Sequence, residues 1–126
     1  MAGGPLDQET LDLLDDSIEV EMQTPRSDGS TSRRPIWVVV ADGDAYVRSY
    51  LGQRGAWYRR ARADGAAAIG AGGRTIEVSV EPALDENLNR RVSDAFRAKY
   101  GERSAGSTET MVSDEVSATT LRLTQR

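Results

Sequence analysis

The stretch Arg33–Gly65, RRPIWVVVADGDAYVRSYLGQRGAWYRRARADG, decides the fold. Ile36-Trp37-Val38-Val39-Val40-Ala41 is an unbroken apolar, β-branched run, the pattern of a strand buried on both faces. Asp42-Gly43-Asp44 follows as a tight turn, with Gly43 able to take the positive φ that a two-residue hairpin loop needs. Ala45 to Leu51 then returns with period-2 alternation, Ala45, Val47, Ser49 and Leu51 on one face and Tyr46, Arg48 and Tyr50 on the other. A second turn, Gly52-Gln53-Arg54-Gly55, predicts a third strand over Ala56–Ala63, where Trp57 and Tyr58 are followed by Arg59, Arg60 and Arg62.

Toward the N-terminus, Leu6–Asp16 reads as a short helix with Leu11 and Leu14 facing inward and Pro5-Leu6-Asp7 as its start. Ile18, Val20, Met22 and Thr24 alternate with Glu19, Glu21 and Gln23, a half-exposed strand, and Pro25–Ser32 is a loop by composition. Toward the C-terminus, Ala66–Ile69 is a short return strand. Gly70-Ala71-Gly72-Gly73 is a plain hairpin turn rather than a phosphate loop, since neither a helix nor a Lys follows it. Arg74–Glu81 alternates with Ile76, Val78 and Val80 inward. Leu84, Leu88, Val92, Phe96 and Tyr100 recur at i, i+4 spacing, which predicts a helix over Leu84–Tyr100 stopped by Gly101. Glu102–Ser113 is Ser/Thr/Glu-rich, a loop with one turn near Met111, and Val116–Thr124 is a last strand. The pattern is α+β, mainly β: six to seven antiparallel strands in one domain over residues 1–126, curled toward a barrel because closure removes exposed edges, with two flanking helices.

A chain of 126 residues buries roughly two thirds of its unfolded surface. No apolar run approaches the ~20 residues of a membrane span and the N-terminus has no signal-peptide core, so the expected location is cytoplasmic, with no membrane partner. There is no Cys and no His. That excludes thiol nucleophiles, disulfides, Ser-His-Asp and Cys-His arrangements, structural zinc and haem held by a proximal His. A metal would need carboxylates alone, and no spaced carboxylate motif stands out. The net charge of −4 hides an asymmetry: residues 1–32 carry −7, residues 33–74 carry +5, and the remainder −2. The positive charge gathers on the central stretch, where it could attract an anion despite the acidic whole.

Thr24, Gly29, Arg33-Arg34-Pro35, Asp42-Gly43, Tyr46-Val47-Arg48-Ser49, Gly52 and Trp57-Tyr58 form, as an ordered set, a resemblance to the flavin-binding split-barrel superfamily. That superfamily includes the pyridoxamine-phosphate oxidase relatives and the deazaflavin-dependent reductases. Within it the chain more closely resembles a small, mainly bacterial family of unknown function, the likeness running on through Ile69-Gly70-Ala71-Gly72-Gly73 to Lys99-Tyr100-Gly101. The resemblance implies an antiparallel split β-barrel, a homodimer, and cofactor sites at the dimer interface. It also implies FMN or a deazaflavin as cofactor, its phosphate held by Arg33 or Arg34, Arg48, Ser49 and Arg54, and its ring walled by Trp57 and Tyr58.

Read without the resemblance, the Arg residues leave other uses open. Guanidinium–phosphate bonds are bidentate and charge-assisted, which suits anion binding. Arg59, Arg60 and Arg62 equally suit a solvated face paired with the acidic segments. Tyr46 and Tyr50 could stack on a ligand or on a partner subunit, Trp37 reads as core, and Tyr100 as structural. Arg beside aromatics also permits base stacking, but the acidic total, a single Lys and no recognition motif argue for no nucleic-acid partner. The leading expectation is a dimeric flavin- or deazaflavin-binding oxidoreductase acting on a small molecule. No general acid stands out, Tyr58 being the nearest candidate. The alternative is a non-enzymatic barrel of the same build that has lost its cofactor and binds another ligand or only itself.

Overall fold

The computed structural model of the chain describes residues 3–126. Seven strands form one antiparallel sheet: β1 (Val20–Pro25), β2 (Thr31–Ile36), β3 (Val39–Ala41), β4 (Asp44–Val47), β5 (Ala66–Ala71), β6 (Arg74–Pro82) and β7 (Leu121–Gln125). Their spatial order is β2-β1-β5-β6-β7-β4-β3, so β2 and β3 are the two edges of the sheet. Only Trp37 and Val38 separate those edges in the chain. Three Cα steps span at most about 11 Å, so the sheet must curl until its edges nearly meet there. The result is a split barrel, pinned together at one corner and open where the edges diverge.

That corner is where the apolar run expected as one strand is cut. Val38 leaves the ladder, and its backbone groups are taken over by side chains from the end of α3 (Glu86–Tyr100). Its N–H donates to the Tyr100 hydroxyl at 3.3 Å. Its carbonyl accepts from Lys99 Nζ at 2.7 Å and lies 3.2 Å from the Tyr100 hydroxyl. A buried backbone group needs a partner but not a strand, so an apolar run does not guarantee an unbroken ladder.

The Asp42-Gly43 turn is as expected. Asp42 (φ 52) and Gly43 (φ 81) both sit in the left-handed region, the mark of a type I′ hairpin joining β3 to β4. Ala56–Ala63, expected as a strand, is instead the helix α2 (Ala56–Asp64), preceded by a 3-10 turn at Gly52–Arg54. Trp57, Tyr58 and Ala61 are buried and the Arg residues face out, an i, i+1, i+4 pattern of one helical face. Ala and Arg are strong helix formers, and Gly65 closes the helix at φ 66. Glu102–Ser113, expected as a loop, holds α4 (Ala105–Met111), and α5 (Asp114–Ser117) takes Val116 from the last strand, its start capped by the Ser113 hydroxyl. With α1 (Gln8–Asp16), capped by Asp7, the described residues hold five α-helices where two were expected. Gly101 is right-handed at φ −57, so α3 ends without the left-handed residue that its glycine suggested.

Two apolar clusters result. The barrel interior gathers Leu11 and Leu14 of α1, Trp57, Tyr58 and Ala61 of α2, and inward residues such as Met22, Val47, Ile69, Val78 and Leu123. A second layer packs Leu88, Val92, Phe96 and Tyr100 of α3, with Met111 and Val116, on the outer side of β3–β4 against Val39 and Tyr46. Among the described residues, no helix is long and apolar enough to cross a membrane.

Candidate functional site

The split leaves a cleft of about 230 Å³ lined by Pro35, Ile36 and Trp37 of the corner, Arg48 and Tyr50 after β4, and Trp57 of α2, with Glu19, Ser107 and Met111 completing it. Trp37 is half-buried here rather than core, and its ring stacks on Tyr100 with centroids 4.0 Å apart and planes 4° from parallel. Tyr100 is in turn fixed by its hydroxyl, which donates to the Ile18 carbonyl at 2.8 Å and accepts from Val38. Burial pushes the phenol up to about 12. The aromatic wall is therefore preorganised by the far end of α3, a residue pair that no local pattern in the sequence connects.

Arg48 is 1% exposed. Its Nε donates to Thr120 Oγ1 at 2.8 Å, one terminal nitrogen to Ser93 Oγ and the Met111 carbonyl at 2.8 and 3.0 Å, and the other to Asn89 O and Oδ1 at 3.0 and 3.3 Å. All five N–H groups of the guanidinium are thus engaged, every partner is neutral, and the cation lies 5.3 Å from the Phe96 ring centroid. Asn89 is held for this by its own amide, which donates to the carbonyls of Ala83 and Asp85. The network ties the end of β4 to α3, α4 and the turn before β7.

Ser49, also 1% exposed, donates nothing from its hydroxyl, and its Oγ is buried without a partner. That oxygen abuts Gly55, where an added Cβ would stand only 2.2 Å from it. Gly55 is the N-cap of α2, and no side chain caps the helix. Arg54, immediately before, is exposed and takes part in none of the ion pairs among the described residues. An uncapped helix start and an orphaned hydroxyl thus meet at Gly55, with Arg54 one residue before it in the chain and Trp57 two residues after.

The other expected residues are placed differently. Arg33 is on the opposite face of β2, in an ion pair with Glu21 at 3.0 Å. Arg34 is exposed on the free edge, on the strand face it shares with Ile36. Tyr58, 3% exposed, packs in the barrel interior and accepts from Arg62 at 3.3 Å. Tyr46 is fully buried beneath Arg122, 5.5 Å from its ring centroid, so of the two tyrosines expected to meet a ligand or partner only Tyr50 is available. Of the expected residues the cleft lining takes in Arg48 and Trp57, with Trp37 added; Ser49 and Arg54 lie at the turn before α2, and Arg33, Arg34 and Tyr58 are outside the lining.

Solved structures share this architecture. Rv2991 of Mycobacterium tuberculosis, a conserved hypothetical protein, superposes with a TM-score of 0.67 at 16% identity, over 100% of this chain and 85% of its own. An F420-H2 dependent reductase superposes at 0.59 with 13% identity, over 84% of this chain and 93% of its own. A putative pyridoxamine 5′-phosphate oxidase of Listeria innocua gives 0.56 with 14% identity, over 91% and 87%. The fold these structures share with the chain is the split barrel. No curated protein matches the chain. Residues 10–123 match the family model described as an uncharacterized protein conserved in bacteria, DUF2255, and the chain belongs to that family.

Proposed function

We propose that the protein is a dimeric split barrel that binds FMN or a deazaflavin in the Trp37–Trp57 cleft and acts as an oxidoreductase on a small molecule. The observation that carries this reading is the start of α2: an uncapped helix N-terminus, flanked by Arg54 and by the partnerless Ser49 hydroxyl, next to an aromatic cleft. Helix N-termini attract anions through free N–H groups and the helix dipole. Ser49, Arg54 and the first turn of α2 would hold the phosphate, and Trp37, Tyr50 and Trp57 would flank the ring, with Arg34 at the edge. Arg48, Arg33 and Tyr58 are engaged within the fold and serve as support. When bound, the cofactor would supply hydride or electron transfer, while the chain supplies orientation and electrostatics. That division suits a chain with neither His nor Cys.

A second copy completes the site in this reading. At about 230 Å³ the cleft falls below the ~300–1,000 Å³ of small-molecule pockets, so one chain encloses only part of a ligand. Three of the four large apolar side chains exposed on the described surface, Ile18, Tyr50 and Leu51, belong to or adjoin its lining segments. A homodimer burying about 1,600 Å² would cover them.

The test is a fluorescence titration of the purified protein with FMN, a phosphorylated deazaflavin and riboflavin, alongside light scattering. The expected outcome is micromolar or tighter binding of a phosphorylated cofactor, poor binding of riboflavin and a dimer mass. Absence of saturable binding to either cofactor class would leave the non-enzymatic barrel; a monomer mass would remove the shared site.

A further inference from the structure

Arg48 is a buried cation whose hydrogen-bonding capacity is filled and whose charge is not. Its partners are hydroxyls, an amide oxygen and two backbone carbonyls, none of them a carboxylate. Buried charges are ordinarily paired, because dipoles alone offset only part of the lost hydration. Burial pushes the guanidinium down to about 10, with the charge of Arg97 acting in the same direction, which leaves it a cation at neutral pH. It also lines the cleft. The carboxylate of the cleft, Glu19, is on the exposed rim where water screens it, while Arg48 is at the floor where little does. A ligand entering between Trp37 and Trp57 therefore moves from a screened negative mouth toward an unscreened positive base.

We propose that the cleft takes a flat conjugated anion whose charge is the missing counter-ion of Arg48. This rests on the reading of the cleft as a ligand site and not on which cofactor occupies it. Because no N–H of Arg48 is free, the attraction acts through space rather than through directed hydrogen bonds. The site should then select charge and flatness and be indifferent to the shape of the anionic group, carboxylate or sulfonate alike.

The experiment compares 2-naphthoate, naphthalene-2-sulfonate and their neutral isostere 2-naphthamide, titrated into the full chain by calorimetry in phosphate buffer, so that the Arg54 end is already supplied with anion. Both anions should bind about tenfold or more tighter than the amide. Because a buried charge is poorly screened, that preference should persist at about 0.5 M salt. Trp57→Ala, with its fold checked by circular dichroism, should weaken all three probes about tenfold or more by removing one wall of the cleft. Equal affinities for anion and amide, a preference abolished by salt, binding untouched by Trp57→Ala, or no saturable binding of any probe would each overturn the proposal. The cofactor titration fails independently. Naphthoate selectivity without FMN or deazaflavin binding keeps this inference and removes the cofactor, and the converse keeps the cofactor and removes the inference.

Discussion

Arg48 and Arg54 lie on either side of the turn that joins β4 to α2, and the fold uses them in opposite ways. Arg48 is withdrawn from solvent and spends all five of its N–H donors on neutral groups of α3, α4 and the turn before β7. Arg54 is solvated, holds nothing, and stands at a helix start that nothing caps. In sequence the two are alike, uncommitted Arg residues in a stretch of net +5 (residues 33–74). The difference lies in what the tertiary structure brings to each. Arg48 meets acceptors from far along the chain, as distant as Thr120, while Arg54 meets none. One has its donors committed to the framework and the other keeps them free, and substitution should separate them.

The largest effect belongs to Arg48. Arg48→Met keeps much of the aliphatic bulk but leaves the buried acceptors of Ser93, Thr120 and Met111, and the half-buried ones of Asn89, without their donor. Each buried acceptor left without a donor costs about 1–3 kcal/mol, and several are orphaned together. Urea denaturation with an unchanged m-value should read that loss; a shift under about 1 kcal/mol would mean the network carries no stability and that the two Arg residues differ only in exposure.

Next is the close packing that separates the two. Gly55 adopts φ −60, open to any residue, so its requirement is space and not backbone freedom. An added Cβ would meet Ser49 Oγ at 2.2 Å. Gly55→Ala should cost about 1–3 kcal/mol by overpacking. Ser49→Ala in the same chain should restore most of it, since the clash is with the hydroxyl and the Ser49 Cβ is 3.5 Å away. Additive losses in the double-mutant cycle would show that Ser49 does not pack against the helix start.

How much of this was legible follows the same division between local and distant causes. The Asp42-Gly43 hairpin, the alternation of β1 and β6, and the α3 stripe from Leu88 to Tyr100 are written in nearby residues and the structure has them, although Leu84 and Ile18, expected at the inward starts of α3 and β1, lie outside those elements and are exposed. Helix α2 was legible too, in its run of Ala and Arg between Gly55 and Gly65, but the expectation of a third strand after two turns overrode the propensity. The break at Trp37-Val38 was not legible, because its cause is the side chains of Lys99 and Tyr100 arriving from α3. Nor was the engagement of Arg48, whose partners begin at Asn89. Ser49, Arg54 and Trp57 could be read as neighbours in sequence, but their meeting at a helix start required the helix.

A smaller effect tests the corner itself. Tyr100→Phe keeps the stack on Trp37 and removes the hydroxyl that serves Ile18 and Val38, a loss of about 1–1.5 kcal/mol. The sign with pH is fixed. The phenol holds its proton to about 12 when folded, against 10.0 for the unperturbed group. The folded state therefore binds the extra proton, and the stabilisation is fully present below about pH 10 and lost as pH rises toward 12. Denaturation of wild type and Tyr100→Phe should converge over that range, while a gap that widens would contradict the buried phenol.

The smallest effect on stability is expected at Arg54, and it is the one that bears on function. Arg54→Ala removes an exposed side chain that makes no ion pair among the described residues, so its stability should stay within about 0.5 kcal/mol of wild type. If Arg54 holds the phosphate of a bound cofactor, the same substitution should weaken FMN or deazaflavin binding by about 1.5–3 kcal/mol, roughly ten- to over a hundredfold. Riboflavin has no phosphate to lose contact with, so its weak binding should not change. The pairing of an unmoved denaturation midpoint with a large loss of affinity for the phosphorylated ligand alone would place Arg54 on the acting side of the comparison, opposite Arg48. An unchanged affinity would return the phosphate to other residues, with Arg34, exposed on the free edge of β2 and sharing a strand face with Ile36 of the cleft, as the next to substitute.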